Sequence, residues 1–294
     1  MMGFLVTVFL NSIIIISYSA KVGSTAIAPL YINVAGDNSC PQSEIQRSAI
    51  LQLTTSYIST ITNGLRQVPQ CGDGLWYQVA YLNMSDSTQA CPSNWVEIRT
   101  PQSGRSCGRP SSARGSCPGV QYSAQSLQYS KVCGRIIGYQ DGSSDAFYPG
   151  LSSNSPDDIY VDGVSLTHGM PRQHIWTFAV GGTDGSLGDS DVNCPCFNPT
   201  ASSNVLPPTF VGDNYFCESG NHGRRLGDRE IFFEDDPVWD GQQCEGECCT
   251  GKSAPWFHVR LPESTTDDIE IRICASEGTH NDDSPIQLFE IYIQ

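Results

Sequence analysis

The chain has 294 residues, and its 31 Asp and Glu against 16 Lys and Arg give a formal net charge of −15 at pH 7. An acidic surface repels phosphate backbones, which argues against nucleic acid as a partner. Beyond the N-terminus, no apolar run approaches the roughly 20 residues that a membrane-spanning helix needs, so the sequence predicts no membrane span. These exclusions leave cations, cationic proteins and neutral glycans as the partners to consider.

The N-terminus is a hydrophobic leader. Residues 1–20 contain no Asp, Glu, Lys or Arg, residues 4–16 are mostly apolar, and the small residues Ser19 and Ala20 follow. This pattern is typical of a secretory signal peptide, so it predicts export and removal of the leader. The alternative is an uncleaved anchor, which the short apolar run and its interruption by Asn11 disfavour.

Residues 21–70 form an N-terminal segment that precedes the cysteine-rich part of the chain. Within it, Ile50, Leu53 and Tyr57 recur at helical spacing, which predicts a short amphipathic helix over about residues 43–65. Ser and Thr are frequent in this span and are poor helix formers. One interpretation is a small oligomerisation stalk, and the other is a helix packed on its own domain.

Residues 71–294 have the pattern of an all-β domain. The predicted strands cover residues 75–82, 158–161, 164–166, 174–180, 268–273 and 286–293. The clearest is 268–273, where three isoleucines alternate with polar residues, as in a strand with one buried face. Long loops are predicted over residues 101–119, 141–156 and 181–227. Many short strands, 28 Gly and 18 Pro predict a disulfide-rich β-sandwich or jelly-roll-like domain with long loops.

The cysteines predict how this domain is braced. Twelve of the 13 lie in residues 71–294: Cys71, Cys91, Cys107, Cys117, Cys133, Cys194, Cys196, Cys217, Cys244, Cys248, Cys249 and Cys274. A secreted chain meets an oxidising environment, so these twelve are expected to pair within the domain. Their connectivity stays open, because twelve cysteines pair in on the order of 10⁴ ways. Cys40 lies ahead of the domain and is available to link a second copy of the chain.

An acidic segment is the best candidate for a metal site. Four carboxylates lie close together around a turn at Pro237 and Gly241: Glu234, Asp235, Asp236 and Asp240. Closely spaced carboxylates suit Ca²⁺ at extracellular concentrations, although the spacing is not that of an EF-hand. The alternative is a solvated acidic loop. Asp282 and Asp283, beside Asn281, form a second acidic candidate.

Asn83 is the acceptor of a glycosylation sequon, Asn83-Met84-Ser85, at the end of a predicted strand. In a secreted chain, this position predicts an N-linked glycan. The similar stretch at residues 198–200 is excluded because its middle residue is proline.

Histidines and aromatic residues supply further candidates. His168 and His174 flank a predicted hairpin turn, and such a pair with Asp162 is able to bind a metal or transfer protons. The alternative is that both are hydrogen-bonded members of a sheet. Trp239 and Tyr215 are candidates for stacking on sugars, against the alternative of core packing. The other aromatic residues near loop edges are Trp76, Tyr77, Tyr81, Trp95, Tyr139, Tyr148 and Trp256.

Several stretches resemble a known group of proteins. The segments YSKVCGRIIGYQ, YVDGVSLTHGMPRQHIWTFAVG, PPTFVGDNYFCESG and DDPVWDGQQC look like a family of secreted cysteine-rich domains from marine invertebrates, over residues 71–294. The resemblance implies extracellular placement, disulfide bracing and helical segments ahead of the domain, but no reaction. The Gly-Leu-Trp stretch is similar to fibrinogen-type recognition domains, whose C-terminal calcium loop and cysteine spacing this chain lacks.

Three functional hypotheses follow. The leading one is a secreted, non-enzymatic recognition or matrix protein that binds glycan, protein or mineral surfaces through loops, assisted by Ca²⁺. The second is a secreted hydrolase that uses His168, His174 and nearby carboxylates, although no HExxH motif supports it. The third is an acidic matrix component whose charge binds cations. A homo-oligomer linked through Cys40 fits the first and the third.

Overall fold

The computed structural model describes residues 64–100, 104–139, 141–142, 144, 146–147, 153–159, 161–182, 207–220 and 256–294, together with strand backbone at 2–9, 13–20 and 31–35. The side chains of residues 100, 182 and 217–220 are outside this description. The chain divides into two compact units, Met1–Ser59 and Thr60–Gln294.

The described residues are mostly strand. Strands account for 51% of them and helix for 3%, and no helix there reaches seven residues, which confirms an all-β chain. The strands are β1 (Met2–Phe9), β2 (Ile13–Ala20), β3 (Tyr31–Ala35), β4 (Leu65–Arg66), β5 (Trp76–Asn83), β6 (Val96–Thr100), β7 (Gly104–Gly108), β8 (Gly119–Tyr122), β9 (Tyr129–Gly138), β10 (Asp141–Gly142), β11 (Gly163–His168), β12 (Gln173–Gly182), β13 (Tyr215–Gly220), β14 (Phe257–Thr265), β15 (Ile269–Cys274), β16 (Asp282–Asp283) and β17 (Ile286–Ile293). A short 3₁₀ turn covers Pro69–Cys71.

The first unit contains one antiparallel sheet in the order β1-β2-β3. Its first two strands are formed by the predicted leader, whose removal stays a prediction. Most of the predicted helix over 43–65 lies outside the described residues, and its last residue, Leu65, belongs to β4.

The second unit is built around two sheets. The larger has seven strands, with β14-β9-β17-β5-β4 side by side and β7 joining β17 and β6. The smaller has the order β13-β12-β11-β15-β8, in which only β12 and β13 are parallel. A two-stranded ladder pairs β10 with β16. No helix in the described ranges is long and apolar enough to cross a membrane.

The structure corrects parts of the strand and loop prediction. The predicted strand over 158–161 is wrong at its described residues, because residues 156–158 turn and residues 159 and 161 are not in a strand. The predicted loops over 101–119, 141–156 and 181–227 contain β7, β10 and β13. These strands escape detection because Gly, Ser and Asp weaken the hydrophobic alternation, while pairing with neighbouring strands still satisfies their backbone groups.

Both large sheets contribute side chains to one buried hydrophobic cluster. Trp176 of β12 stacks on Phe257 of β14, with ring centroids 4.3 Å apart. Phe289 of β17 receives edge contacts from Trp95 at 6.2 Å and Tyr122 at 5.6 Å. Aromatic pairs of this geometry add to the free energy gained by burying their area, so they stabilise the packing of strands from both sheets.

Three disulfides confirm that the second unit is cross-braced, and they are Cys71–Cys133, Cys91–Cys107 and Cys117–Cys274. The first ties the 3₁₀ turn to β9, the second ties the segment after β5 to β7, and the third ties the segment before β8 to the end of β15. The remaining predicted bridging cysteines fall outside the described side chains: Cys40, Cys194, Cys196, Cys217, Cys244, Cys248 and Cys249.

Candidate ligand-binding surface

Four side chains cross one face of the larger sheet in a line: Tyr81, Glu290, Arg135 and Trp256. We call them the aromatic–charged row. Glu290 of β17 lies directly opposite Tyr81 of β5 and Arg135 of β9 in the strand registers, so the three share one face. Trp256 immediately precedes β14, and the Arg135 guanidinium lies 5.3 Å from the centroid of its ring. The row therefore presents an aromatic ring at each end and two opposite charges between them.

The charges in the row are held by direct contacts. Arg135 donates from Nε to Glu290 Oε1 at 2.6 Å, with the Arg135 side chain 33% and that of Glu290 14% exposed. Tyr292 donates its hydroxyl to Glu290 Oε2 at 2.8 Å. Both carboxylate oxygens of Glu290 are thus occupied, and the guanidinium retains donors for a ligand.

Tyr292 connects the row to a small buried cluster on the same face of the sheet. Burial and then its bond to Glu290 raise the pKa of its phenol to about 12, so it stays a neutral donor at physiological pH. Its ring stacks on Trp256 with centroids 6.2 Å apart. It also belongs to a small buried cluster with Val68 and Trp76, which the Cys71–Cys133 disulfide closes. This support pre-orients Trp256 and Glu290 before any ligand arrives.

Tyr81 is the most accessible member of the row, with 46% of its surface exposed. An exposed aromatic ring beside an arginine and a carboxylate offers an apolar platform with polar groups at its edge. That combination suits a ligand with both C–H faces and hydroxyl groups. It does not suit a strongly anionic ligand, because Glu290 neutralises Arg135.

The structure does not bring the predicted histidine pair together. His168 lies opposite Gln173 and His174 opposite Thr167, so adjacent positions on β11 place the two imidazoles on opposite faces of the sheet. His168 contacts Asp267 instead, with Nδ1 2.9 Å from Oδ2. Hydrogen bonds from Thr265 and then His168 lower the pKa of Asp267.

His174 is enclosed in a polar layer on the other face. Its Nε2 lies 2.8 Å from Thr177 Oγ1, and its ring meets Phe210 edge-on with centroids 5.6 Å apart. Burial and then the charge of Arg272 lower the pKa of His174 to about 4. The imidazole is therefore neutral at physiological pH.

Tyr215 packs in a buried cluster and is not part of the row. Its ring meets Phe147 edge-on, with centroids 5.3 Å apart, beside Val161 and Val211. This contact agrees with the core-packing alternative. The other predicted stacking residue and the acidic candidates of the calcium segment lie outside the described residues, and they are Trp239, Glu234, Asp235, Asp236 and Asp240.

Asn83 lies at the end of β5, two residues beyond Tyr81 and on the same sheet face. Its Oδ1 accepts a hydrogen bond from the backbone of Ser85 at 3.0 Å, and Ser85 is exposed. Met84 between them is 1% exposed and packs in the core. A glycan on Asn83 would project from the sheet face that carries the row.

Asp282 and Asp283 are buried, although an acidic pair beside Asn281 is expected to lie in an exposed turn. Asp283 accepts two hydrogen bonds from Arg109, both of 3.1 Å, and is 1% exposed. Their burial has no signal in the sequence, since Arg109 is 174 positions away in the chain. In the described ranges, no group of three or more His, Cys, Asp or Glu side chains is arranged to hold a metal ion.

Comparison of the chain with protein-family models, curated proteins and solved structures found no match. Ligand binding by this surface is therefore inferred from its geometry. Sequence reasoning included Tyr81 and Trp256 among the aromatic residues near loop edges, but it missed Arg135 and Glu290. Alternation within β9 and β17 indicates which of their residues share a face, but only strand pairing shows that these two faces meet.

Proposed function

We propose that this chain is a secreted, non-enzymatic recognition or matrix protein whose second unit binds an extracellular glycan. The hydrophobic leader, the three disulfides and the resemblance to secreted cysteine-rich domains of marine invertebrates support the extracellular placement. Two sheets that share one buried cluster support a β-sandwich or jelly-roll-like arrangement.

The observation that carries the glycan proposal is the aromatic–charged row. A sugar ring has an apolar face that stacks on an aromatic side chain and hydroxyls that bond to charged planar groups. Tyr81 is the exposed platform, and Arg135 offers donors on the far side of Glu290 in the same row. A flat sheet face with these groups favours neutral or weakly charged glycans over phosphate-rich ligands.

The hydrolase hypothesis receives no supporting contact in the described residues. Acid–base catalysis by two histidines needs both within hydrogen-bond reach of one substrate group. His168 and His174 lie on opposite faces of the sheet.

Three further features extend the proposal. Asn83 carries an N-linked glycan, Cys40 links copies of the chain, and the acidic segment over 234–240 assists binding with Ca²⁺. The net charge of −15 also fits the matrix alternative, in which cations bind to the acidic surface.

Asn83→Gln abolishes a glycosidase-sensitive mass shift if the sequon is used. Non-reducing electrophoresis that finds only monomer contradicts the Cys40 link.

A glycan array probed with protein from a secretory host tests the proposal. We expect wild-type protein to bind a defined set of glycans, and Tyr81→Ala and Arg135→Gln to weaken that binding by about tenfold, which corresponds to about 1.4 kcal/mol. Val96→Ala is the matched control, because Val96 is also an exposed apolar residue on a strand, at 41%, but lies outside the row. An array without any hits, or equal binding by Tyr81→Ala and wild type, refutes the proposed site.

A further inference from the structure

One carboxylate oxygen of Asp282 receives no hydrogen bond from the residues that the structure describes. The residue is 2% exposed. Its Oδ2 accepts a hydrogen bond from the backbone of Glu277 at 3.3 Å, whereas its Oδ1 is buried and has no donor within the described part of the chain. Buried carboxylate oxygens normally have partners, because an unpaired buried charge is costly. The oxygen is therefore available to a ligand.

A second buried carboxylate lies beside it. Asp162 is 1% exposed, and its Oδ1 accepts a hydrogen bond from the backbone of Ser276 at 2.7 Å. Ser276 and Glu277 are consecutive, so two carboxylates bind adjacent amide groups of one loop. The two carboxylates therefore lie close together.

Arg109 bonds to the backbone carbonyl of Asp282 but not to its carboxylate. Its Nε donates to Asp283 Oδ1 at 3.1 Å. Its other donors reach the backbone carbonyls of Ser116, Glu277 and Asp282. None of these contacts involves the Asp282 carboxylate, and Asp282 forms no ion pair in the described residues.

We propose that Asp282 and Asp162 bind a divalent cation, Ca²⁺, between the start of β11 and the loop that follows β15. The hydroxyl of Ser276 is buried, has no hydrogen-bond partner among the described residues and supplies a third oxygen. Ca²⁺ takes about six to eight oxygen ligands and accepts carboxylates, carbonyls, hydroxyls and water. Beside these two carboxylates, neutral oxygens complete the coordination.

The backbone around the site is suited to hold such an ion. The Asp162 amide donates to Ala146 O at 3.0 Å, and its carbonyl accepts from Val180 N at 2.8 Å. Asp282 N donates to Gly278 O at 3.1 Å, which closes the loop. The cation would join two segments that are 120 positions apart in the chain, at the end of the smaller sheet. This site is separate from the predicted calcium segment over 234–240.

Thermal unfolding of the full secreted protein in EDTA, MgCl₂ or CaCl₂ tests the proposal, together with calorimetric titration by CaCl₂ alone. For an extracellular site with Kd of about 10⁻⁴ M, about 10 mM CaCl₂ should raise the Tm of wild type by about 5 °C or more. Asp282→Asn should abolish that rise without lowering the Tm measured in EDTA. The reason is that Asn has the shape of the Asp side chain and its amide oxygen still accepts the hydrogen bond from Glu277, but it lacks the carboxylate charge that binds the cation.

Further variants separate the possible outcomes. Asp162→Asn should also lose the calcium response, and it serves if Asp282→Asn does not fold. Asp283→Asn should lower the Tm in EDTA and in CaCl₂ alike, because Asp283 is the partner of Arg109. Exposed Asp158→Asn is the matched control and should respond as wild type does. Absence of a calcium effect on wild type, or an equal effect on Asp282→Asn, overturns the proposal; the latter result places calcium elsewhere, as in the segment over 234–240.

Discussion

Because of His174, the free energy of unfolding of the second unit should decrease at acidic pH. Its pKa is lowered to about 4 by burial and then by Arg272, against about 6.5 in an unfolded chain. The folded state therefore resists protonation of the imidazole. Its contribution to stability is complete above about pH 6.5 and is lost as the pH falls towards 4. Replacement by a residue that does not titrate should remove this dependence.

The size of the effect follows from the shift. A folded pKa of about 4 and an unfolded pKa of about 6.5 predict a loss of about 2–3 kcal/mol between about pH 7 and pH 4.5. His174→Gln keeps a polar group near Thr177, whose hydroxyl is 2.8 Å from Nε2, but it cannot be protonated. We expect the free energy of unfolding of this variant to fall by about 2–3 kcal/mol less than that of wild type over the same pH range.

Urea unfolding at the two pH values, followed by tryptophan fluorescence, provides the measurement. Trp176 is buried in the same strand as His174 and reports on that region. The carboxylates titrate equally in both proteins, so their contributions cancel in the difference. Exposed His280→Gln is the control and should retain the acid sensitivity of wild type. Parallel losses in wild type and His174→Gln would refute the reasoning.

Two further predictions concern bracing and close backbone packing. Cys117–Cys274 closes a separation of 157 residues and Cys91–Cys107 one of 16, so replacing each pair by serine should cost about 5 and about 3 kcal/mol in the chain-entropy model. Urea midpoints should therefore fall further for the first pair, and the reverse order contradicts that account. Gly163 has φ 145° and would place a Cβ against a carbonyl oxygen of β12, so Gly163→Ala should lower stability by more than about 1 kcal/mol. An unchanged Tm would contradict this.

The alternation in β15 shows how far sequence pattern reaches. Ile269, Ile271 and Ile273 are all fully buried in the shared cluster, as their spacing predicts. Glu270 and Arg272 on the other face are also buried, at 8% and 1% exposure. Alternation identifies the apolar face, but it does not reveal that a second layer covers the polar one.

That second layer comes from distant parts of the chain. Arg172, in the turn between β11 and β12, donates to Glu270 at 2.5 Å and to Asp157 at 2.7 Å, while Thr167 donates to Glu270 at 3.1 Å from the neighbouring strand of the same sheet. Each contact involves residues far apart in sequence or on separate loops. Periodicity within one strand carries no information about them, because it reflects only the neighbours along that strand.

Local sequence determined the all-β character, the main strands of the second unit and the use of disulfides, since these depend on side-chain periodicity and on cysteine content. Tertiary structure alone decided which cysteines meet, that the two candidate histidines face opposite ways, and that Arg135 and Glu290 meet between Tyr81 and Trp256. The physical reason is that strand register and sheet order bring together residues more than 100 positions apart, and a shift of one residue reverses the face that each side chain occupies.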